Sequence, residues 1–190
     1  EHVIFTSCAT ESNALAIQGT TLALRRQCRE FSDMHMLYLA SAHSSTVANM
    51  KELEHRGVVV ESVAVTGNRI DLEDLERKVT EKTVLVALER VCGETGALFD
   101  TKTAAKLIKQ KSAGKAVVLV DASQAPRTEL LDWTRLGADY LSLDAQKIGG
   151  VRGVGILVKN TTAKLSPLLL GGGQEYGYRA GTENVAGIAS

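Results

Sequence analysis

Short apolar runs, each about four to eight residues long, alternate along this chain with amphipathic stretches, and few architectures accommodate that alternation. Apolar runs of this length suit strands buried on both faces, and the helical spacing between them suits crossover helices packed on a mostly parallel sheet. Strands are expected near Val3 to Thr6, Met36 to Ala40, Val58 to Val65, Val84 to Glu89, Ala116 to Val120, Tyr140 to Leu143 and Val154 to Val158. Helices are expected over Glu11 to Arg29, Ser44 to Arg56, Asp71 to Val79 and Thr101 to Ser112, with Gly57 and Gly114 as stops. The fold class is α/β, a mostly parallel sheet of about seven strands with helices on both faces.

The 190 residues, 44% of them hydrophobic, can bury one substantial core, so a single domain over 1–190 is expected. Repeats, low-complexity tracts and linkers are absent. The ends look unfinished: a buried-looking strand begins two positions after residue 1, and Asn184 to Ser190 reads as a helix that has only begun. A piece of a longer protein is the expectation. The 22 basic and 22 acidic residues balance and leave no electrostatic footprint for nucleic acid or an anionic membrane. Small-molecule chemistry is the better expectation. No apolar stretch approaches the roughly 20 residues that span a bilayer, and the start lacks the zones of a signal peptide. Cys8, Cys28 and Cys92 are an odd set without a close pair, which points to neither a disulfide framework nor a zinc site. A reducing cytoplasm is expected, or a mitochondrion if the source is eukaryotic.

Chemistry-bearing residues fall at the carboxyl ends of the expected strands, where ligands collect in open α/β folds. Thr6 to Asn13 joins a strand to a long helix, so backbone N–H groups and the Thr10 hydroxyl can face a phosphate; Ser7 and Thr10 serve equally well as plain helix caps. His43 follows the second strand and could stack on a flat ring, or be an exposed histidine at a helix start. His2, His35 and His55 have no such setting and read as structural or surface residues. Asp121 closes an apolar strand, where its carboxylate could pair with a pyridinium or cap a helix. Gln124 could donate to a phenolate of the same ring. Lys147, shortly beyond another strand, could form a Schiff base, although most lysines are surface residues. An acid and a lysine so placed suggest pyridoxal phosphate, the acid keeping the pyridine nitrogen protonated.

Taken in order, Thr6 to Asn13, Ala42-His43, Val120 to Gln124, Lys147 to Gly155 and Gly171 to Asn184 resemble the class V aminotransferase family, in particular cysteine desulfurases of the NifS and IscS type and the related selenocysteine lyases. The resemblance covers nearly the whole chain. It implies the large, cofactor-binding domain of a fold-type I enzyme that uses pyridoxal 5'-phosphate and works as a homodimer; the family's N-terminal segment and small C-terminal domain lie outside the chain. By the same resemblance Lys147 carries the cofactor, His43 stacks on its ring, Asp121 pairs with its nitrogen and Gln124 meets its phenolic oxygen. Ala9 and Thr10 bind the phosphate of their own subunit, and Thr182 reaches that of the partner. The implied reaction takes sulfur from L-cysteine, gives alanine and leaves a persulfide on a mobile cysteine for a sulfur-acceptor protein, as in iron–sulfur cluster or thio-cofactor supply. Lys147 moves the protons.

Several positions depart from the family pattern. Gly93 stands where an asparagine would contact the cofactor, Asp144 and Gln146 replace two phosphate ligands, Cys8 replaces a glycine and Val151 a proline. Asp144 would repel a phosphate unless it points away or is held by Arg152 or another cation. The family's mobile cysteine lies C-terminal to Gly171–Asn184, and Cys8, Cys28 and Cys92 do not match it; Cys8 and Cys92 are read as structural. Two alternatives follow: a non-catalytic relative kept as a dimerising scaffold, or a class V enzyme with another substrate such as selenocysteine.

Overall fold

The computed structural model describes residues 2–190. In chain order the elements are β1 (His2–Thr6), α1 (Ala9–Arg25), β2 (His35–Leu39), α2 (Ser44–His55), β3 (Val59–Val63), β4 (Val65–Thr66), β5 (Arg69–Ile70), α3 (Leu72–Lys78), β6 (Thr83–Glu89), α4 (Thr101–Lys111), β7 (Val117–Asp121), α5 (Trp133–Leu136), β8 (Tyr140–Asp144), β9 (Gly155–Lys159) and α6 (Val185–Ile188). Seven strands form one sheet in the order β1-β9-β8-β7-β6-β2-β3, while β4 and β5 form a small hairpin. The pairs β3–β2, β2–β6, β6–β7 and β7–β8 are parallel. β9 runs antiparallel to both β8 and β1, so it alone opposes the direction of the other six.

Alternation along the central strands sends side chains into two cores. Val118 and Val120 pack with Leu75, Ala104, Ala105, Ile108 and Leu136 on the face covered by α3, α4 and α5. Leu119 between them points the other way and joins Leu15, Ile17, Met50 and Leu53 of α1 and α2. Continuous apolar runs with helices on both faces are the expected signature of a parallel sheet. The architecture matches fold-type I, as the sequence implied.

Two expected elements are cut short for visible reasons. α1 stops at Arg25 because Cys28 takes a left-handed conformation (φ 62°) and the Arg29 N–H returns to the Leu24 carbonyl, a helix stop built without glycine. The single strand expected over Val58 to Val65 breaks at Ala64, whose N–H is taken at 2.9 Å by Asp74 Oδ2. The chain then turns through Gly67 (φ 60°) into the β4–β5 hairpin.

Asp71 and Asp100 cap α3 and α4 by accepting from the N–H groups of Asp74 and Thr103. α1 is different. Its N-cap residue, Cys8, makes no side-chain capping bond, and the carboxylate that meets the start of this helix comes from the end of β8.

Candidate active site

The carboxyl ends of β2, β6, β7 and β8, together with the start of α1, enclose a cavity of about 200 Å³. Six of the residues singled out from the sequence line it: Ala9, Thr10, His43, Asp121, Gln124 and Lys147. The seventh, Thr182, does not. It lies in a separate crevice with Ser7, Gly153 and Arg179.

Asp121 ends β7 and is fixed on both oxygens. Its Oδ1 accepts from the Ser123 N–H at 3.0 Å and the Ser123 hydroxyl at 2.7 Å, and its Oδ2 accepts from Asn13 Nδ2 at 2.7 Å. With both oxygens engaged by donors the carboxylate is held in one orientation, which suits a partner for a ring nitrogen. Asn13 is fully buried, donates also to Ser45 Oγ at 3.0 Å, and accepts from the Ser142 hydroxyl at 2.6 Å. One amide thus ties α1, α2, β7 and β8 together beneath the cavity.

His43 caps α2: its Nδ1 accepts from the Ser45 N–H at 3.2 Å and lies 2.8 Å from Ser45 Oγ. The neutral ring then carries its proton on Nε2. A fixed imidazole at the cavity wall provides a stacking face, so its capping and stacking roles are compatible. Gln124 reaches Gly93, where an added Cβ would stand 3.5 Å from Gln124 Nε2. Lys147 is half-buried, in the short turn Ala145–Ile148 after β8.

Glu89 was not anticipated. It ends β6, pairs in register with Asp121, is 5% exposed and faces the cavity. Burial pushes its carboxyl above the usual value of 4.5 and the Asp121 charge adds to this, against hydrogen bonds from Ser41 and Cys92. An acid closing an apolar run is the signal that drew attention to Asp121, and it applied to Glu89 as well. Asn13, one helical turn beyond Thr10 on the same face, was equally open to that kind of reading.

Asp144 is turned toward the cavity's helix end. Its Oδ2 accepts from the Ala9 N–H at 3.1 Å and its Oδ1 from the Gln146 N–H at 3.2 Å. Backbone N–H groups hold it, rather than Arg152. Cys92 is 2% exposed, Cys8 half-buried and Cys28 exposed, all as free thiols.

The Gly171–Asn184 segment is fastened to the start of the chain at two points. Glu175 Oε2 accepts from the Phe5 N–H at 2.8 Å, and Arg179 Nε donates to Glu11 Oε1 at 2.8 Å. Burial pushes Glu11 upward, but hydrogen bonds from Arg179 and Ser7 outweigh it and hold the carboxyl below its usual value. Glu175 and Tyr176 adopt left-handed backbone (φ 48° and 58°), a conformation that costs an L residue about 1–2 kcal/mol.

A primary amine and a strand-end acid sharing one cavity at the edge of a parallel sheet suit chemistry on an aldehyde-bearing pyridine, and the fold is that of the fold-type I class, which uses pyridoxal phosphate. Within that class the chain belongs to the class-V aminotransferase family, whose model matches residues 1–190. It is 35% identical to cysteine desulfurase IscS 1 of Archaeoglobus fulgidus over 187 residues, 98% of this chain and 47% of that protein. Among solved structures, a NifS-like protein superposes with a TM-score of 0.91 at 33% identity, covering 98% of this chain and 50% of that one. SspA, solved in complex with cysteine, gives a TM-score of 0.87 at 28% identity, covering 98% and 52%. The chain spans about half the length of the relatives it matches.

The residues present fit the ring of pyridoxal 5'-phosphate in their chemistry: Asp121, Gln124, His43 and Lys147 line one cavity. At the phosphate end, the first N–H of α1 is already engaged by Asp144.

Proposed function

We propose that this chain is the cofactor-binding domain of a cysteine desulfurase-like enzyme, which takes sulfur from L-cysteine, leaves alanine and passes the sulfur as an enzyme persulfide to an acceptor protein. The observation that carries it is the convergence of Lys147, Asp121, His43 and Gln124 on one cavity. The names of the relatives, a cysteine desulfurase and a protein solved in complex with cysteine, support the substrate.

Pyridoxal 5'-phosphate, when bound, supplies an aldehyde that accepts amino groups and a ring that withdraws electrons. Lys147 would hold the cofactor through its aldehyde, and its amine lies in the same cavity, where it would serve as the base that moves a proton. Asp121, fixed by Asn13 and Ser123, would pair with the protonated ring nitrogen. His43 packs on the ring, and Gln124 donates to its phenolic oxygen. Thr10 lies at the phosphate end. Thr182, away from its own chain's cavity, is assigned to the cofactor of a partner subunit, which makes the working unit a homodimer. The three free cysteines support a reducing compartment; among the described residues no helix is long and apolar enough to cross a membrane. Cys92, buried against Glu89, remains a structural residue.

The test uses the intact protein loaded with pyridoxal 5'-phosphate. Borohydride should fix the cofactor to Lys147, located by peptide mass, and Lys147→Ala should remove that mass while the unfolding midpoint stays close to wild type. With a thiol reductant present to release the persulfide sulfur as sulfide, L-cysteine should yield alanine and sulfide in equal amounts. Cofactor fixed without cysteine turnover would favour another class V substrate such as selenocysteine; no fixed cofactor and no turnover would favour the dimerising scaffold.

A further inference from the structure

A helix start presents N–H groups without intrahelical partners and a partial positive charge, and it therefore draws anions. The start of α1 opens into the cavity that holds Lys147 and Asp121, and an anion is built into it. Asp144 is 6% exposed, and its Oδ2 takes the Ala9 N–H from 135 residues away. Its Oδ1 meanwhile caps the turn that carries Lys147, through the Gln146 N–H. Cys8, the residue placed to cap α1, leaves that task undone. Thr10, next in line on the helix, lines the same cavity. A phosphate dianion and this carboxylate compete for one donor and repel each other at close range.

We propose that Asp144 is a displaceable occupant of the phosphate end of the site. It closes α1 when no phosphate is bound and must leave the Ala9 N–H for a phosphate to enter, so it sets how strongly the site distinguishes phosphorylated from phosphate-free forms of the aldehyde cofactor. This rests on the assignment of the cavity to a pyridoxal cofactor. The ring-facing groups, Asp121, Gln124, His43 and Lys147, meet both forms alike, which isolates the contribution of the phosphate.

Asp144→Ser and Asp144→Asn test the idea in the intact protein. Serine still caps a turn, so the first variant keeps the hydrogen bond to Gln146 while removing the charge; asparagine removes the charge at constant shape. Affinities for pyridoxal 5'-phosphate and for pyridoxal are read from the absorbance of the lysine-bound cofactor, and the unfolding midpoint is titrated with inorganic phosphate in the absence of cofactor. For Asp144→Ser, the phosphorylated form should bind at least about tenfold tighter, about 1.4 kcal/mol, with pyridoxal changed less than about threefold. Inorganic phosphate should raise the midpoint of the variants more than that of wild type. Equal changes for the two cofactor forms, or equal phosphate stabilisation of wild type and variants, would overturn the proposal. Failure of all the proteins to bind either cofactor form would sink the pyridoxal assignment instead, and the phosphate titration would still decide the role of Asp144.

Discussion

Asn13 Nδ2 lies 2.7 Å from Asp121 Oδ2, a contact between α1 and the end of β7 that spans 108 residues of chain. It fixes the carboxylate assigned to the ring nitrogen. Asn13→Ala removes this donor, the donor to Ser45 and the acceptor for the Ser142 hydroxyl. Leaving such buried partners unsatisfied costs about 1–3 kcal/mol. Urea unfolding should show a loss of that order, and cofactor affinity should fall with it. Unchanged stability would mean that water replaces the amide.

Glu89 makes stability depend on pH. Its folded-state pKa is raised by burial and by the neighbouring Asp121, so just above pH 4.5 the native protein keeps a proton that the unfolded chain has released. Stability therefore falls as pH rises from 4.5 through the folded pKa, and levels off beyond it. Glu89→Gln removes this slope. Unfolding free energies between pH 4.5 and 7.5 should show the advantage of the variant growing with pH; a constant difference between the two proteins would refute the assignment.

Gly155 begins β9 against the turn before α1, where an added Cβ would stand 2.4 Å from the Cys8 carbonyl carbon. No side chain fits without moving backbone, and overpacking of this kind costs about 1–3 kcal/mol. Gly155→Ala should lower the unfolding midpoint and weaken cofactor binding, because the displaced turn carries Ala9. Gly93→Ala is the control. Its Cβ meets only the Gln124 side chain, nearest at 3.5 Å from Nε2, and its stability should stay within about 0.5 kcal/mol of wild type.

If Thr182 serves the cofactor of a partner subunit, cofactor binding and dimerisation are linked, since a ligand held by two chains stabilises their association. Thr182→Ala should weaken cofactor affinity and raise the dimer dissociation constant in sedimentation experiments. A change in only one of the two would separate Thr182 from the phosphate.

The strands were legible because their apolar runs are unbroken: Val117 to Val120 and Val84 to Leu88 have one reading. The early stop of α1 was not legible, since Cys28 takes a left-handed turn that nothing local announces. The break at Ala64 depends on the Asp74 carboxylate, a contact made only after folding. Six of the candidate residues gather in the cavity because the carboxyl ends of parallel strands share one edge. Asn13 reads as ordinary helix in the sequence, whereas Glu89 closes an apolar run as Asp121 does and was legible by the same signal. The orientation of Asp144 depends on the distance between two helical turns, which spacing along the chain does not encode.

The pairing of β1 with β9, His2 opposite Lys159 through Thr6 opposite Gly155, bears on the order in which the molecule assembles. The contacts that complete the site, Asn13 to Asp121 and Ala9 to Asp144, are among the most distant in sequence. Closing such loops carries an entropic penalty before any contact repays it, so they form late and slowly. During synthesis the first strand waits at the sheet margin until β9 has emerged. Until translation reaches Lys159, β1 has no complete strand to pair with, and the start of α1 that follows it lacks that anchor to the sheet.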